Sequence, residues 1–356
     1  MNKVFLTDSE LKDNLFPFTL TRSAADIRVG ILTIREKWEA YLGQSVTVKS
    51  DWNAAENINI LSANIIPSKQ FITSLFNEQG NIADSPEWNA VKIVQFPWHI
   101  FLWNDWAIRQ DYELITTNRH SAPVPSTVQT INSRDIFIEQ GAKLSHCIIN
   151  AEAGPVYLGK HTEIMEGAVI RGPFALCEGS TVKMGAKIYG ATTVGPYSVV
   201  GGEIKNSVIF GYSNKAHEGY LGDSVIGEWC NLGAGTSNSN VKNNAGEVKI
   251  YNNFSKQLLA SGLLKCGLIM GDYSRAAINT SFNTGTVVGV CANVFGEGLT
   301  PKFIPSFTWG TPSSGRYEFD KALADINNWK KLKKASLTEP EKTLLKLIFD
   351  ENQPNK

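Results

Sequence analysis

At 356 residues, with 42% hydrophobic and 19% charged side chains, the chain has an ordinary globular composition and enough length for two domains. Its 34 basic and 34 acidic residues cancel, which argues against nucleic acid or an anionic membrane as partner and makes any phosphate site a local one. The opening MNKVFLTDSELKD turns charged within a few residues, and nowhere do the ~18 apolar residues of a spanning helix run together; the expected location is cytoplasmic. Cys147, Cys177, Cys230, Cys266 and Cys291 show no CxxC spacing and read as buried reduced thiols rather than disulfides or zinc ligands.

Residues 1–116 read as a mixed α/β domain. KVFLTD, SVTVKS, INILSANII and VKIVQF have strand character, and GILTIREKWEAYLG has helix character. His99 in FPWHIF and the Trp98, Trp103 and Trp106 cluster read as packing, with base stacking the alternative for the tryptophans. The polar stretch TTNRHSAPVPST marks a linker over 117–135.

From there to about residue 310 the period changes to six. Leu158, Ile164, Ile170, Leu176, Val182, Ile188, Val194 and Val200 hold one phase. Four places after the first seven stand Thr162, Ala168, Phe174, Ser180, Ala186, Thr192 and Ser198, small in all but one case. A helix repeats near 3.6 and a strand at 2, so this rhythm predicts a left-handed parallel β-helix over 136–310, each hexad one short strand and a corner. The signal returns out of phase at Ile226 and Leu232, and again at Met270, Ala276, Phe282, Val288 and Val294. The phase breaks predict loops bulging at 205–222 and about 238–265, where chemistry is expected. Residues 311–356 end in an amphipathic stretch that predicts two short helices capping the open end of the solenoid.

The segment EIKNSVIFGYSNKAHEGYLGDSVIGEWCNLGAGTSNSN resembles the acetyltransferase half of the bifunctional N-acetylglucosamine-1-phosphate uridyltransferase/glucosamine-1-phosphate acetyltransferase family, its archaeal members especially. The resemblance implies that His217 is the general base for an acceptor amine, a task suited to an imidazole with an ordinary pKa near ~6.5. It implies acceptor binding by Glu203, Lys205, Tyr220 and Asn231, with Lys205 meeting a phosphate. It further implies that the Ala234 backbone touches the acyl donor acetyl-CoA and that Asn240 serves the oxyanion or the acceptor. The family's phosphate-binding arginine has no clean counterpart; Arg171, Lys183 and Lys187 are the cations ahead of Lys205, and Lys242 or Lys249 only approximate a further charge.

Residues 1–116 resemble a shortened, Rossmann-like sugar nucleotidyltransferase around LFPFTLTRSAADIRVG. The Gly-rich loop that would cradle nucleotide phosphates is replaced by TDSELKDN, leaving Asp8, Arg22 and Arg28 as candidate phosphate or metal contacts, with Mg²⁺ required only if this domain is active. The resemblance further implies a homotrimer with acetyl-CoA between neighbouring prisms. The functional expectation is acyl transfer to an amino sugar phosphate or nucleotide-linked amino sugar. Sugar-1-phosphate nucleotidylyl transfer and a non-catalytic nucleotide-sugar-binding scaffold are the alternatives. A zinc site of carbonic-anhydrase type is not expected from His146, His161 and His217, and no metal ligands are assigned.

Overall fold

The structure, a computed structural model, describes residues 4–8, 11, 13–49, 59–76, 82–83 and 85–351. Ser9, Glu10 and Lys12 of the stretch that replaces a phosphate loop, Ser50 and Ile58 at the ends of two expected strands, and residues 352–356 of the tail lie outside them.

The six-residue rhythm builds a parallel solenoid of about ten turns, of the left-handed β-helix type. Its first face has nine strands, from Ile136–Ile138 to Phe303–Ile304, and its second has nine, from Lys143–Leu144 to Trp309–Gly310. The third has six, from Gln129–Ile131 to Tyr220–Gly222, and resumes with Ser237–Asn238 beside Ser281–Phe282. The solenoid therefore begins inside the span read as linker. Three hexads close one coil: Leu158 pairs with Leu176, Ile170 with Ile188 and Val182 with Val200, and all six are buried on the axis. The small residue has a clear job. The Thr162 hydroxyl donates to the Gly159 carbonyl at 2.8 Å, and the Ser180 hydroxyl donates to the Cys177 carbonyl, satisfying corner groups that no strand reaches.

The expected loop at 205–222 is absent; that stretch is regular coil. The phase breaks because corners shorten. Ile188 pairs with Ile204 and Val194 with Ile209, closer in sequence than the three hexads of the earlier coils, and Ile204 then pairs with Leu221. Gly201 and Gly202 make this possible: a Cβ on Gly201 would lie 2.4 Å from the Ala216 carbonyl oxygen, and Gly202 has φ +71°. The expected loop at about 238–265 is present. Ile226 pairs with Met270 across it, and it carries an antiparallel hairpin of Lys249–Asn252 and Gln257–Ala260.

The amino-terminal region is α/β as expected. Thr47–Lys49, Val4–Thr7 and Asn59–Ser62 form a parallel sheet in that order, with Ile65–Ile66 and Lys92–Ile93 paired separately. Helix Ile34–Leu42 starts at a reciprocal capping box between Thr33 and Glu36 and stops at Gly43. Its buried Lys37 bonds to Asp111 of helix Asn104–Thr116, which also accepts from the Ile31 and Leu32 amides at 2.7 and 3.0 Å. Trp98 is buried and stacks on Phe96, and Trp103 bonds to the Ile93 carbonyl, so this cluster packs the domain. The region lies against the first face: Phe18 meets Phe210 at 5.1 Å, and Asn104 donates to the Ala191 carbonyl at 2.8 Å. Val208, Val225, Ile269 and Val287, outward on that face, are fully buried in the shared core.

The tail forms helices Phe319–Lys331 and Glu339–Glu351. Besides closing over the last coils, they run along the edge between the first and second faces. Tyr197, Tyr212 and Trp229 stack up that edge, Lys330 sits over Trp229, and Lys333 bonds to the Tyr197 carbonyl. The five thiols are free and buried, each raised in pKa by burial. No helix among the described residues is long and apolar enough to cross a membrane.

Candidate functional site

With the first face under the amino-terminal region and part of the second under the tail, the third face is the one left open among the described residues, and it carries most of the candidate residues. Ile204 and Leu221 point to the axis, so their neighbours point out. Glu203 pairs in register with Tyr220, and Lys205 with Gly222. The Tyr220 hydroxyl accepts from Asn240 at 3.0 Å, and Asn240 also donates to Asp223 at 2.5 Å. Asp223 in turn accepts from Asn206 at 2.7 Å, so Asn206, Asp223 and Asn240 climb one edge of the face, coil over coil. Partial burial, then the Asp223 and Glu203 carboxylates, push the Tyr220 phenol up to about 12, so it keeps its proton and can donate to a ligand.

His217 stands exposed on the opposite edge of this face, at the corner between the second and third faces. Ala234 occupies the equivalent corner one coil on: the Gly235 amide bonds to the Glu218 carbonyl at 3.0 Å, stacking the two turns. Within one chain the structure unites Glu203, Lys205, Tyr220 and Asn240 on one face and stacks His217 with Ala234 on its rim. Asn231 points out from the second face, in register with Asn214 and Arg275. His146 and His161 lie in early coils of the prism, remote from the His217 coil.

Lys215 was not singled out from the sequence. It occupies an axial slot, in register above Val200, and is 1% exposed. Its ammonium donates to the His217 carbonyl at 2.5 Å and approaches the Gly201 carbonyl at 3.4 Å, bracing the His217 corner from inside. Burial lowers its pKa to about 8. The signal was available: it falls six residues after Ile209 and six before Leu221, where an apolar residue belongs.

The amino-terminal candidates do not converge. Asp8 accepts from the Ala24 amide at 3.3 Å, and Arg28 bonds to the Ile31 carbonyl and lies 3.6 Å from Glu36. Arg22 is held by Asp272 and, at 3.2 Å, by Glu228; burial opposes its charge, and the two carboxylates outweigh that and raise its pKa. A cavity of about 310 Å³ opens beside it, lined by the carboxylates of Asp26, Glu228, Asp272 and Glu341, the wrong sign for a phosphate.

Residues 4–54 match a family model described as sugar nucleotidyl transferase. Among curated proteins, the chain is 38% identical over 93 residues to the bifunctional sugar-1-phosphate nucleotidylyltransferase/acetyltransferase of Sulfurisphaera tokodaii, covering 26% of this chain and 23% of that protein. It is 39% identical over 87 residues to the bifunctional protein GlmU of Methanocaldococcus jannaschii, covering 24% and 21%. It is 27% identical over 174 residues to the uncharacterized acetyltransferase YaiX of Escherichia coli O6:K15:H31, covering 46% and 70%. The chain thus spans under a quarter of the archaeal relatives it matches. It is similar, over limited stretches, to a sugar nucleotidyl transferase at its amino-terminal end and to acetyltransferases named for that chemistry or joined to it in bifunctional proteins.

Proposed function

We propose that this chain transfers an acyl group from acetyl-CoA to the amino group of a sugar phosphate or nucleotide-linked amino sugar, with His217 as general base. The observation that carries the reading is an exposed imidazole on a corner braced by a buried lysine, at the rim of an open face bearing Glu203, Lys205, Tyr220 and Asn240. Similarity to acetyltransferases supports it. In this reading His217 takes the proton from the acceptor nitrogen as that nitrogen attacks the acyl carbon. Glu203, Tyr220 and Asn231 orient the sugar, Lys205 meets its phosphate, and Asn240, giving up its longer bond to the Tyr220 hydroxyl, donates that N–H to the developing oxyanion. The donor supplies the activated acyl carbon and leaves as a thiol, with the Ala234 backbone beside it. His217 and Asn240 stand on opposite edges of one face, so a neighbouring prism completing the cleft fits a homotrimer.

Thiol release from acetyl-CoA across a panel of amino sugar phosphates tests this. His217→Ala is expected to lower kcat by 10²-fold or more with the fold intact; turnover unchanged in that variant rules the reading out.

The match over residues 4–54 favours a second reading, nucleotidylyl transfer to a sugar 1-phosphate with Mg²⁺. Pyrophosphate release from a nucleoside triphosphate and a sugar 1-phosphate reports it. A nucleotide-sugar-binding scaffold without catalysis leaves both assays silent.

A further inference from the structure

Tyr220 and Gly222 flank axial Leu221 in one strand, so both face outward on the third face. Arg171, Tyr189 and Lys205 hold the position of Gly222 in the three preceding coils, and each puts a long side chain there. At Gly222 the side chain is missing and the Tyr220 ring fills the gap. A Cβ built on Gly222 would lie 2.7 Å from the Tyr220 Cε1 and closer still to its Cζ and Oη. The ring therefore lies along its own strand over the bare α-carbon, with Gly222 buried under it, and carries its hydroxyl from the Glu203 side of the face to the Lys205 side.

Backbone freedom does not explain this glycine. Its φ is not positive, and alanine adopts the same strand conformation. Space explains it, because the backbone is held on both sides and cannot retreat from an added methyl group. On one side Gly222 is in register with Lys205, and the Asp223 amide donates to the Lys205 carbonyl at 3.1 Å. On the other the six-stranded sheet ends, and the buried Asn238 side chain takes the place of a strand: it accepts from the Gly222 amide at 3.0 Å and donates to the Gly222 carbonyl at 3.1 Å. A methyl group here has to displace the ring, whose hydroxyl accepts from Asn240. In the proposed transfer Asn240 turns that N–H to the oxyanion, and the packing on Gly222 still holds the Tyr220 hydroxyl in place.

We propose that Gly222 is a positioning residue for the acceptor site: by keeping its place in the column bare, it seats the Tyr220 ring flat on the face and aims the phenol at an acceptor held by Lys205. Its effect on turnover rests on the acyl-transfer reading; its effect on the ring does not.

Gly222→Ala in the full chain tests this by two readouts. Fluorotyrosine NMR, with Tyr220→Phe identifying the Tyr220 signal, is expected to show that signal displaced in Gly222→Ala, with Tm lowered by no more than a few degrees because a ring that swings out relieves the crowding. Thiol release is expected to show the KM for the amino sugar acceptor raised about tenfold, the loss of one hydrogen bond, with kcat and the KM for acetyl-CoA little changed. In a Tyr220→Ala background, adding Gly222→Ala is expected to leave the acceptor KM where it was. An unmoved Tyr220 signal, or a further rise in KM in the Tyr220→Ala background, overturns the proposal. An active native chain whose acceptor KM is unmoved by Gly222→Ala overturns this role alone, whereas a native chain silent with every acceptor overturns the acyl-transfer reading and this role together.

Discussion

Lys215 shows how one residue can trade stability for position. Its ammonium sits where Val200 and Leu232 sit in neighbouring coils, with backbone carbonyls rather than a carboxylate as partners. Burial lowers its pKa from 10.5 to about 8, on the order of 3 kcal/mol against the folded state at neutral pH, since each unit is about 1.36 kcal/mol. The sign follows from linkage. Below pH about 8 both states hold the proton and the penalty is full; as pH rises from about 8 to 10.5 the folded state loses its proton first and stability recovers. Lys215→Met should therefore match or exceed native stability at pH 7, and urea unfolding at pH 7 and pH 10 should show the native chain gaining on it by up to about 3 kcal/mol. The same variant should slow the proposed acyl transfer on the order of tenfold, because the His217 corner loses its brace.

At the scale of elements, corner length governs where the site can form. The shortened corner at Gly201 and Gly202 draws the chain across in fewer residues and sets the His217 turn directly on it: a Cβ on Gly202 would lie 2.8 Å from the His217 and Gly219 carbonyl oxygens. Gly202→Ala meets both that crowding and a φ of +71°, and is expected to cost on the order of 1–3 kcal/mol. Thermal unfolding measures that loss, and a fall in transfer rate at temperatures where the variant is still folded would tie this corner to His217 placement. The hairpin in the later insertion has a different role. Its Tyr251 stacks on Phe303 at 3.6 Å and meets Phe16 at 6.3 Å, joining the amino-terminal region to the last coils.

Across the whole molecule, the amino-terminal region and the prism share one core rather than meeting as separate bodies. Phe18, fully buried against Phe210, is part of that seam. Phe18→Ala should cost about 3–5 kcal/mol and lower the midpoint of a single cooperative transition; two resolved transitions by calorimetry would show that the halves unfold independently. Removing residues 1–116 should expose the Val208, Val225, Ile269 and Val287 stripe and yield aggregated protein, measurable by light scattering.

The sequence by itself determined the solenoid, because a period of six with one large and one small residue is satisfied by the three-sided coil, and each hexad reports its own burial. It also pointed to the stacked coils that hold Glu203, His217, Tyr220 and Asn240, through a resemblance rather than through spacing. Tertiary structure decided the rest. A phase break reads alike in sequence whether residues are added or removed, so 205–222 proved to be shortened corners while 238–265 proved to be an insertion. Arg22 looked like a phosphate ligand until Asp272, 250 residues away, neutralised it. Charge pairing and burial depend on contacts between residues distant along the chain, and local pattern carries no record of them.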